Sequence, residues 1–433
     1  MKRRRYVAAV GVATALALAA ATAAALTSSA AGKPAADKLT VWLHPEAEGG
    51  WPQVIAAANS AVRAKHPGVE IDVQSVPWGA NTHAKYKAAL AAGNAPDVIE
   101  MGNTETTEYM AAGAFAALNK KVYPNSKTWL KGLEASCRFK GKLYCVPYYA
   151  GARAVIYRTD FYRKARIKGT PKTLSAFVAD GKKLMKKYGK DRNFSAYYHA
   201  GKNWYVAMSF VYDYGGQIAV LKGGKWRGTL DSPQAIRALT VLKSIVNKLS
   251  RASKTTKEDT PYPAVPFGQG KVAAFIGNGW EFPMTFDAKS GGNPKVEPVV
   301  RAYPMPSHAK GRYMPAFLGG SDLAMSATSQ NKTLARDWIK AFTTTAAERG
   351  IAKPGNIANT TKLAGIHKNN PKIAPFAEAA KFSWFVPTSP NWPKVENALV
   401  LQNMMVKILT GRASVKSATH TASSQITSIL NSK

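Results

Sequence analysis

Cysteine is nearly absent from this chain: two in 433 residues, Cys137 and Cys145. Two thiols cannot by themselves supply a four-ligand zinc site, and no C-x-x-C or H-E-x-x-H run is present to build a redox or metallopeptidase centre. No G-x-S-x-G nucleophile elbow and no G-x-x-x-x-G-K-[ST] phosphate loop occurs, which lowers serine hydrolases and P-loop nucleotide enzymes as classes. The seven histidines do not cluster, so no metal and no cofactor is expected. Acidic residues are also scarce, 25 against 60 Lys and Arg, giving a net charge of +35. Beyond residue 26 no apolar run is long enough to cross a bilayer.

What is present begins with Met1 to Arg5, a basic start, followed by an Ala-rich apolar run from Tyr6 to Leu26 and small residues Ser29, Ala30 and Ala31. That order reads as an export signal over residues 1–31 with a polar linker at 32–37; an uncleaved anchor is the competing reading. No cysteine lies near the cleavage site, so a lipobox attachment is excluded. In an oxidising exported setting Cys137 and Cys145, on either side of Gly141-Lys142, are expected to close a hairpin-sized loop, with two free thiols as the alternative. The charge, +31 without Lys2, Arg3, Arg4 and Arg5, should draw the protein to polyanions. The basic residues are scattered rather than interleaved with stacking aromatics, and export argues against nucleic acid, so an anionic cell wall is the expected polyanion.

At 433 residues and 46% apolar content the chain is too long for one core and apolar enough for two. Leu39 to Leu43 reads as a buried strand. Trp51, Val54, Ile55, Ala58 and Val62 form one helical face that His66-Pro67-Gly68 stops. Val69 to Val73 predicts a strand, Lys85 to Ala92 a helix and Pro96 to Met101 a third strand. This alternation predicts a parallel α/β sheet covered on both faces, with ligand-facing loops at 44–51 and 102–108. Further helices are expected at 174–188, 233–249 and 334–343. One more runs from Trp392, with Val395, Leu399, Gln402, Val406 and Leu409 as a core stripe.

Ala91-Ala-Gly-Asn-Ala-Pro-Asp-Val-Ile99, Gly141-Lys-Leu-Tyr-Cys-Val-Pro-Tyr148, Ala154-Val-Ile-Tyr-Arg-Thr-Asp-Phe161, Phe267-Gly-Gln-Gly-Lys-Val-Ala-Ala274, Gly277-Asn-Gly-Trp-Glu281, Phe317-Leu-Gly-Gly-Ser-Asp322 and Ala335-Arg-Asp-Trp-Ile-Lys-Ala-Phe342 occur in this order. Together they resemble extracellular solute-binding proteins of bacterial ABC importers, in the carbohydrate-binding group that includes maltose-binding protein. The resemblance covers nearly the whole mature chain. It implies an α/β two-lobe periplasmic-binding-protein-like fold that closes by a hinge over a ligand. Crossings are expected near Tyr149 to Ala154, Phe282 to Thr285 and Phe342. One lobe then holds 38–150 and 284–341, the other 151–283 and 342–433. The chain departs from the family pattern in its missing lipobox cysteine and its basic charge, both of which bear on how it is held at the cell.

A sugar site needs aromatic platforms and short polar or carboxylate groups. The resemblance puts Trp280 in an aromatic ligand segment, with Glu281 as its polar neighbour, and puts Trp204 and Trp392 in two more; a packing role competes at each tryptophan. Trp384 and Trp51 read as packing residues. Glu46 and Glu48 in the first loop, and Asn103, Thr104 and Glu105 in the third, are candidates that could equally serve as helix caps. Ser321 and Asp322 follow a Gly319-Gly320 pair that a tight turn would also explain, and Arg153 at the crossing could hold a hydroxyl or an acidic sugar. The expected protein is a monomer that binds a carbohydrate, an oligosaccharide more than a monosaccharide, and hands it to an ABC permease without chemistry. A secreted glycosidase would need a facing acid and base, and no spacing marks such a dyad. A cationic wall-binding protein is the third reading.

Overall fold

The computed structural model describes residues 38–77 and 80–432, so the export signal and linker expected from the sequence lie outside the described residues. Nine strands build the two larger sheets: β1 (Lys38–Leu43), β2 (Glu70–Ser75), β3 (Val98–Gly102), β4 (Cys145–Gly151), β5 (Arg153–Arg158), β6 (Ala274–Asn278), β7 (Val300–Tyr303), β8 (Gly319–Met325) and β9 (Ile357–Ala358). Six of them form one sheet in the order β9-β4-β8-β3-β1-β2, and three form a second in the order β6-β5-β7.

Only part of the first sheet is parallel. β1 pairs in parallel with β2, from Lys38 opposite Glu70 to Leu43 opposite Ser75, and with β3. β8 pairs antiparallel with both β3 and β4. The expected all-parallel sheet is therefore mixed: the alternating strand and helix units stop after β3, and β8 enters from far along the chain.

Helix Pro52–Lys65 shows how the first core forms. Proline at its first position has no N–H to leave unpaired, Val54, Ala58 and Val62 are buried on one face, and Gly68 leaves in the left-handed region at φ 86. Burying each such aliphatic side chain stabilises the fold by about 1.5–3 kcal/mol relative to exposure. Against this helix packs Lys332–Phe342, where Trp338 stacks on Phe342 at 4.5 Å and donates its indole N–H to Asn59 at 2.7 Å. A separate, larger core gathers around helices Leu174–Tyr188, Trp204–Asp213, Pro233–Leu249, Val400–Thr410 and Val415–Leu430.

The stripe expected from Trp392 onward does not run through. Helix Trp392–Asn397 ends, Leu399 takes a left-handed φ of 52 and is 42% exposed, and a new helix starts at Val400. The break resets the helical phase, so Val400, Leu401, Met404, Met405, Ile408 and Leu409 face the core.

Between Gly151 of β4 and Arg153 of β5 the chain leaves the first sheet and enters the second. The other crossings fall elsewhere than the sequence led us to expect. Val300 to Tyr303 lies beside β5, so the return to the first sheet comes between Tyr303 and Gly319 rather than near Phe282. β9 pairs with β4, so the chain is still in the first sheet well after Phe342. Backbone pairing, which local sequence patterns do not encode, decides both.

Cys137 and Cys145 form a disulfide, with Cα atoms 4.9 Å apart, across the small hairpin of Arg138–Phe139 and Lys142–Leu143. Its turn uses Lys140 and Gly141, both at positive φ. Closing so short a loop should contribute about 2–3 kcal/mol. Thermal unfolding with and without reductant measures this: a lower transition on reduction is expected, and an unchanged one would mean that strand pairing alone holds the hairpin.

Candidate functional site

The crossing strand β5 opens with Arg153, and its side chain organises what lies around it. The guanidinium sits over the Tyr205 ring at 4.3 Å and over Phe317 at 5.7 Å. Tyr205 stacks on Trp204 at 4.0 Å and on Phe317 at 4.9 Å. Tyr205 is the second residue of helix Trp204–Asp213, which Asn203 caps by accepting from Val206 N–H at 3.1 Å. Phe317 lies in a two-residue strand paired with Ser383–Trp384. Residues far apart in sequence therefore present a layered aromatic surface beside the crossing.

Carboxylates converge on the same place. Glu105, before helix Thr106–Ala111 on the six-stranded side, pairs with His83 Nε2 at 2.8 Å. His83 Nδ1 lies 2.7 Å from the Tyr109 hydroxyl, and its ring stacks on Tyr109 at 5.8 Å. The Glu105 hydrogen bond raises the His83 pKa. From the other side Glu396 accepts from the Trp392 indole N–H at 2.9 Å, and burial together with the Glu105 charge pushes its carboxyl up to about 8. Burial raises Glu258 to about 7 against the pull of Arg153. Burial likewise raises Glu281, opposed by the Asn278 N–H that donates to it at 2.6 Å. In a protein short of acids, Glu105, Glu258, Glu281 and Glu396 all act on one another or on Arg153 and Tyr205.

Trp280 is 43% exposed and meets Tyr262 edge-on at 6.0 Å. It stands between buried Asn278 and buried Glu281, and Gly279 beside it has no room for a side chain: a Cβ would come 2.9 Å from the Gly355 carbonyl. Tyr262 in turn feels Glu46, which is exposed in helix Pro45–Gly50 on the six-stranded side.

The remaining candidates are distributed differently. Trp204 and Trp392 are buried among Tyr205, Phe317 and Trp384, with no ring face open to solvent at Trp392. Asn103 is buried and donates to the Leu318 carbonyl at 3.2 Å, while Thr104 lines a narrow crevice with Phe385 and Thr388. Ser321 and Asp322 lie inside β8, opposite Gly102 and Met101, and Asp322 accepts from Thr106 at 2.8 Å and Ser136 at 3.1 Å. Gly319 and Gly320 are strand residues, not a turn: a Cβ on Gly320 would fall 2.0 Å from the Tyr149 carbonyl, so glycine is there for close strand approach. Glu48 lines a cavity of about 450 Å³ between helix Pro52–Lys65 and β2, which no Phe, Tyr or Trp lines.

Sequence reasoning missed Tyr205, Glu258, Tyr262, Phe317 and Glu396. Glu258 carried a usable signal, as one of two adjacent acids, Glu258 and Asp259, directly after Lys257 in an acid-poor chain. Among the described residues the one group of ligating atoms close enough to share an ion is Cys137, Cys145 and Asp322, and its two sulfurs are already joined to each other. No described helix is long and apolar enough to cross a membrane.

Solved structures share this architecture. The GacH receptor of Streptomyces glaucescens superposes with a TM-score of 0.76 at 21% identity, over 92% of this chain and all of that one. The sugar-binding protein MalE of Xanthomonas citri gives 0.76 at 20% identity, over 91% and 97%. In sequence, the diacetylchitobiose binding protein DasA of Streptomyces coelicolor is 31% identical over 364 residues, 84% of this chain and 83% of that protein. Residues 44–349 match the family described as bacterial extracellular solute-binding protein. With a two-lobe fold, a crossing strand at the aromatic and carboxylate cluster, and a relative at this identity over most of its length, the chain belongs to the bacterial extracellular solute-binding proteins.

Proposed function

We propose that the protein captures a carbohydrate, an oligosaccharide in preference to a monosaccharide, between its two lobes and delivers it to the permease of an ABC importer. The arrangement around Arg153 carries this reading: a guanidinium held on stacked Tyr205 and Phe317, with carboxylates reaching in from both lobes. Aromatic faces suit the apolar faces of sugar rings and carboxylates accept from hydroxyls. DasA is named for diacetylchitobiose and GacH was crystallised with acarbose, both saccharide ligands. Ligand stabilises the closed state through its higher affinity for that state, and no bond in the sugar changes. The lobes proposed here are the six-stranded and the three-stranded halves, hinged at Gly151 to Arg153. The protein works as a monomer, and its cationic surface holds it at an anionic cell wall.

A thermal-shift series with chito-, malto- and monosaccharides tests the reading. A saturating ligand at about a hundred times its Kd should stabilise the protein by about 2.7 kcal/mol, in a dose-dependent way, with the sugar recovered intact. Cleavage of the sugar would establish a glycosidase instead. A transition that no saccharide moves would remove the proposal.

A further inference from the structure

The positive charge is not evenly spread. From Arg163 to Arg192 eleven of thirty residues are Lys or Arg and two are Asp. Helix Leu174–Tyr188 buries Leu174, Phe177, Gly181 and Leu184 against the second core, so its apolar stripe is fully used. On the opposite face Lys182, Lys183, Lys186 and Lys187 are all exposed, followed by Lys190 and Arg192.

Folding does not explain this face. Lys182 and Lys186, and Lys183 and Lys187, are like charges at i,i+4, an arrangement that destabilises a helix by about 0.2–0.5 kcal/mol per pair. One or two lysines in the last turn would satisfy the helix dipole. The two acids in the segment are already engaged, Asp180 with Lys183 at 3.2 Å and Asp191 with Lys271 at 3.0 Å, and neither neutralises Lys182, Lys186 or Lys187. A repulsive array kept on an exposed helix fits a partner that supplies the missing negative charge.

We propose that this helix face docks a linear phosphodiester polymer of the cell envelope, of the poly(glycerol phosphate) type. Lysine is a compact point charge that needs no fixed fork geometry, which suits singly charged phosphates on a flexible chain better than planar carboxylates, for which arginine is the better match. Successive charges along each ridge are about 6 Å apart, a spacing fit for a chain with one charge per repeat. A membrane surface fits less well, because the helix has no free apolar face to insert. The buried stripe puts this surface on the outside of the lobe, so docking there is independent of the proposed sugar site.

The test compares two fourfold variants of the full chain that lose the same charge. One carries Lys182→Gln, Lys183→Gln, Lys186→Gln and Lys187→Gln; the other carries Lys121→Gln, Lys127→Gln, Lys131→Gln and Lys362→Gln, all exposed and on the other half. Binding of poly(glycerol phosphate) is measured over a range of salt, with sugar affinity and thermal unfolding followed in parallel. The helix variant should bind at least about tenfold more weakly than the control. Its log K against log salt should flatten by roughly 3, about 0.7 per lost phosphate contact by analogy with single-stranded nucleic acid. Equal losses in the two variants would overturn the proposal in favour of diffuse charge, and so would equal or tighter binding to phosphatidylglycerol vesicles. If the fourfold helix variant unfolds, the pair Lys182→Gln and Lys186→Gln should show about half the change in slope, and no change there also overturns it. Loss of sugar binding in both variants would bear on the proposed function and not on this surface.

Discussion

Trp280→Ala should weaken binding of the cognate saccharide by roughly ten- to hundredfold while leaving the unfolding transition of the free protein almost unmoved. The ring is 43% exposed, so its removal opens no core cavity, and surface changes of this kind stay within about 0.5 kcal/mol. Its value to a ligand is different. A tryptophan face covered by a sugar behaves as an interface anchor, and losing one costs about 2 kcal/mol or more. The backbone that presents it is fixed independently of the indole, by Asn278 N–H on Glu281 and by the tight fit of Gly279. Trp280→Phe should recover most of the affinity. Trp392→Ala cannot be read the same way: that side chain is wholly buried, and its loss should cost about 3–5 kcal/mol of folding. Calorimetric titration of Trp280→Ala with unchanged affinity would show that the ligand lies away from this ring.

Stability should peak in mildly acidic solution and fall as the pH rises toward 8. Burial holds Glu100, Asp322 and Glu258 at about 7 and Glu396 at about 8, all above an ordinary carboxyl. With the folded-state values raised, the folded protein keeps protons that the unfolded chain has released from about pH 4 upward. Stability therefore declines from there until the folded-state groups ionise near pH 7 to 8. A tenfold change in acid strength is worth about 1.4 kcal/mol, so the fully enclosed Glu100 and Asp322 each cost on the order of 3 kcal/mol at the alkaline end. Glu258 and Glu396, which keep some contact with solvent, cost less. His199 works the other way: burial lowers it to about 4, so stability is also lost as the pH falls from about 6.5 toward 4. Four carboxyls outweigh the one imidazole wherever both titrate, so the maximum lies at about pH 4 to 5, with an unfolding temperature at least about 5 °C above that at pH 8.5. Glu396→Gln removes one of the titrating groups, and it should raise the alkaline transition and flatten the profile. A transition temperature that climbs steadily from pH 5 to 8.5 would contradict this account.

These two effects depend on different kinds of information. Trp280 could be singled out from its glycine-bracketed run, because glycines that allow close backbone approach leave a local mark in sequence. The raised carboxyls could not, because burial is a property of the assembled cores. The same division appears in the site. Glu105 was legible as a polar group beyond a strand end, and Glu281 and Arg153 through the family resemblance, whereas Tyr205, Phe317, Glu258 and Glu396 meet only because segments far apart in the chain are folded together. Ser321 and Asp322 illustrate the converse error. A Gly-Gly pair suggests a turn, yet it serves here to let β8 pass close to Tyr149, and that places the two polar side chains inside the sheet.

By itself the sequence determined the secondary elements with strong local signals, such as Pro52–Lys65 and Leu174–Tyr188, the disulfide partners, the two-lobe class through its resemblance to a family, and the excess of positive charge. Periodicity, proline and glycine act over a few residues, so they can be read without knowing the fold. Tertiary structure alone decided the mixed sheet, the positions of the second and third crossings, and the phase break at Leu399. It also decided which aromatic rings stay exposed and which carboxyls are forced together. Each of these depends on strand pairing or burial between residues distant in sequence, where the energy comes from the partner and not from the residue's neighbours.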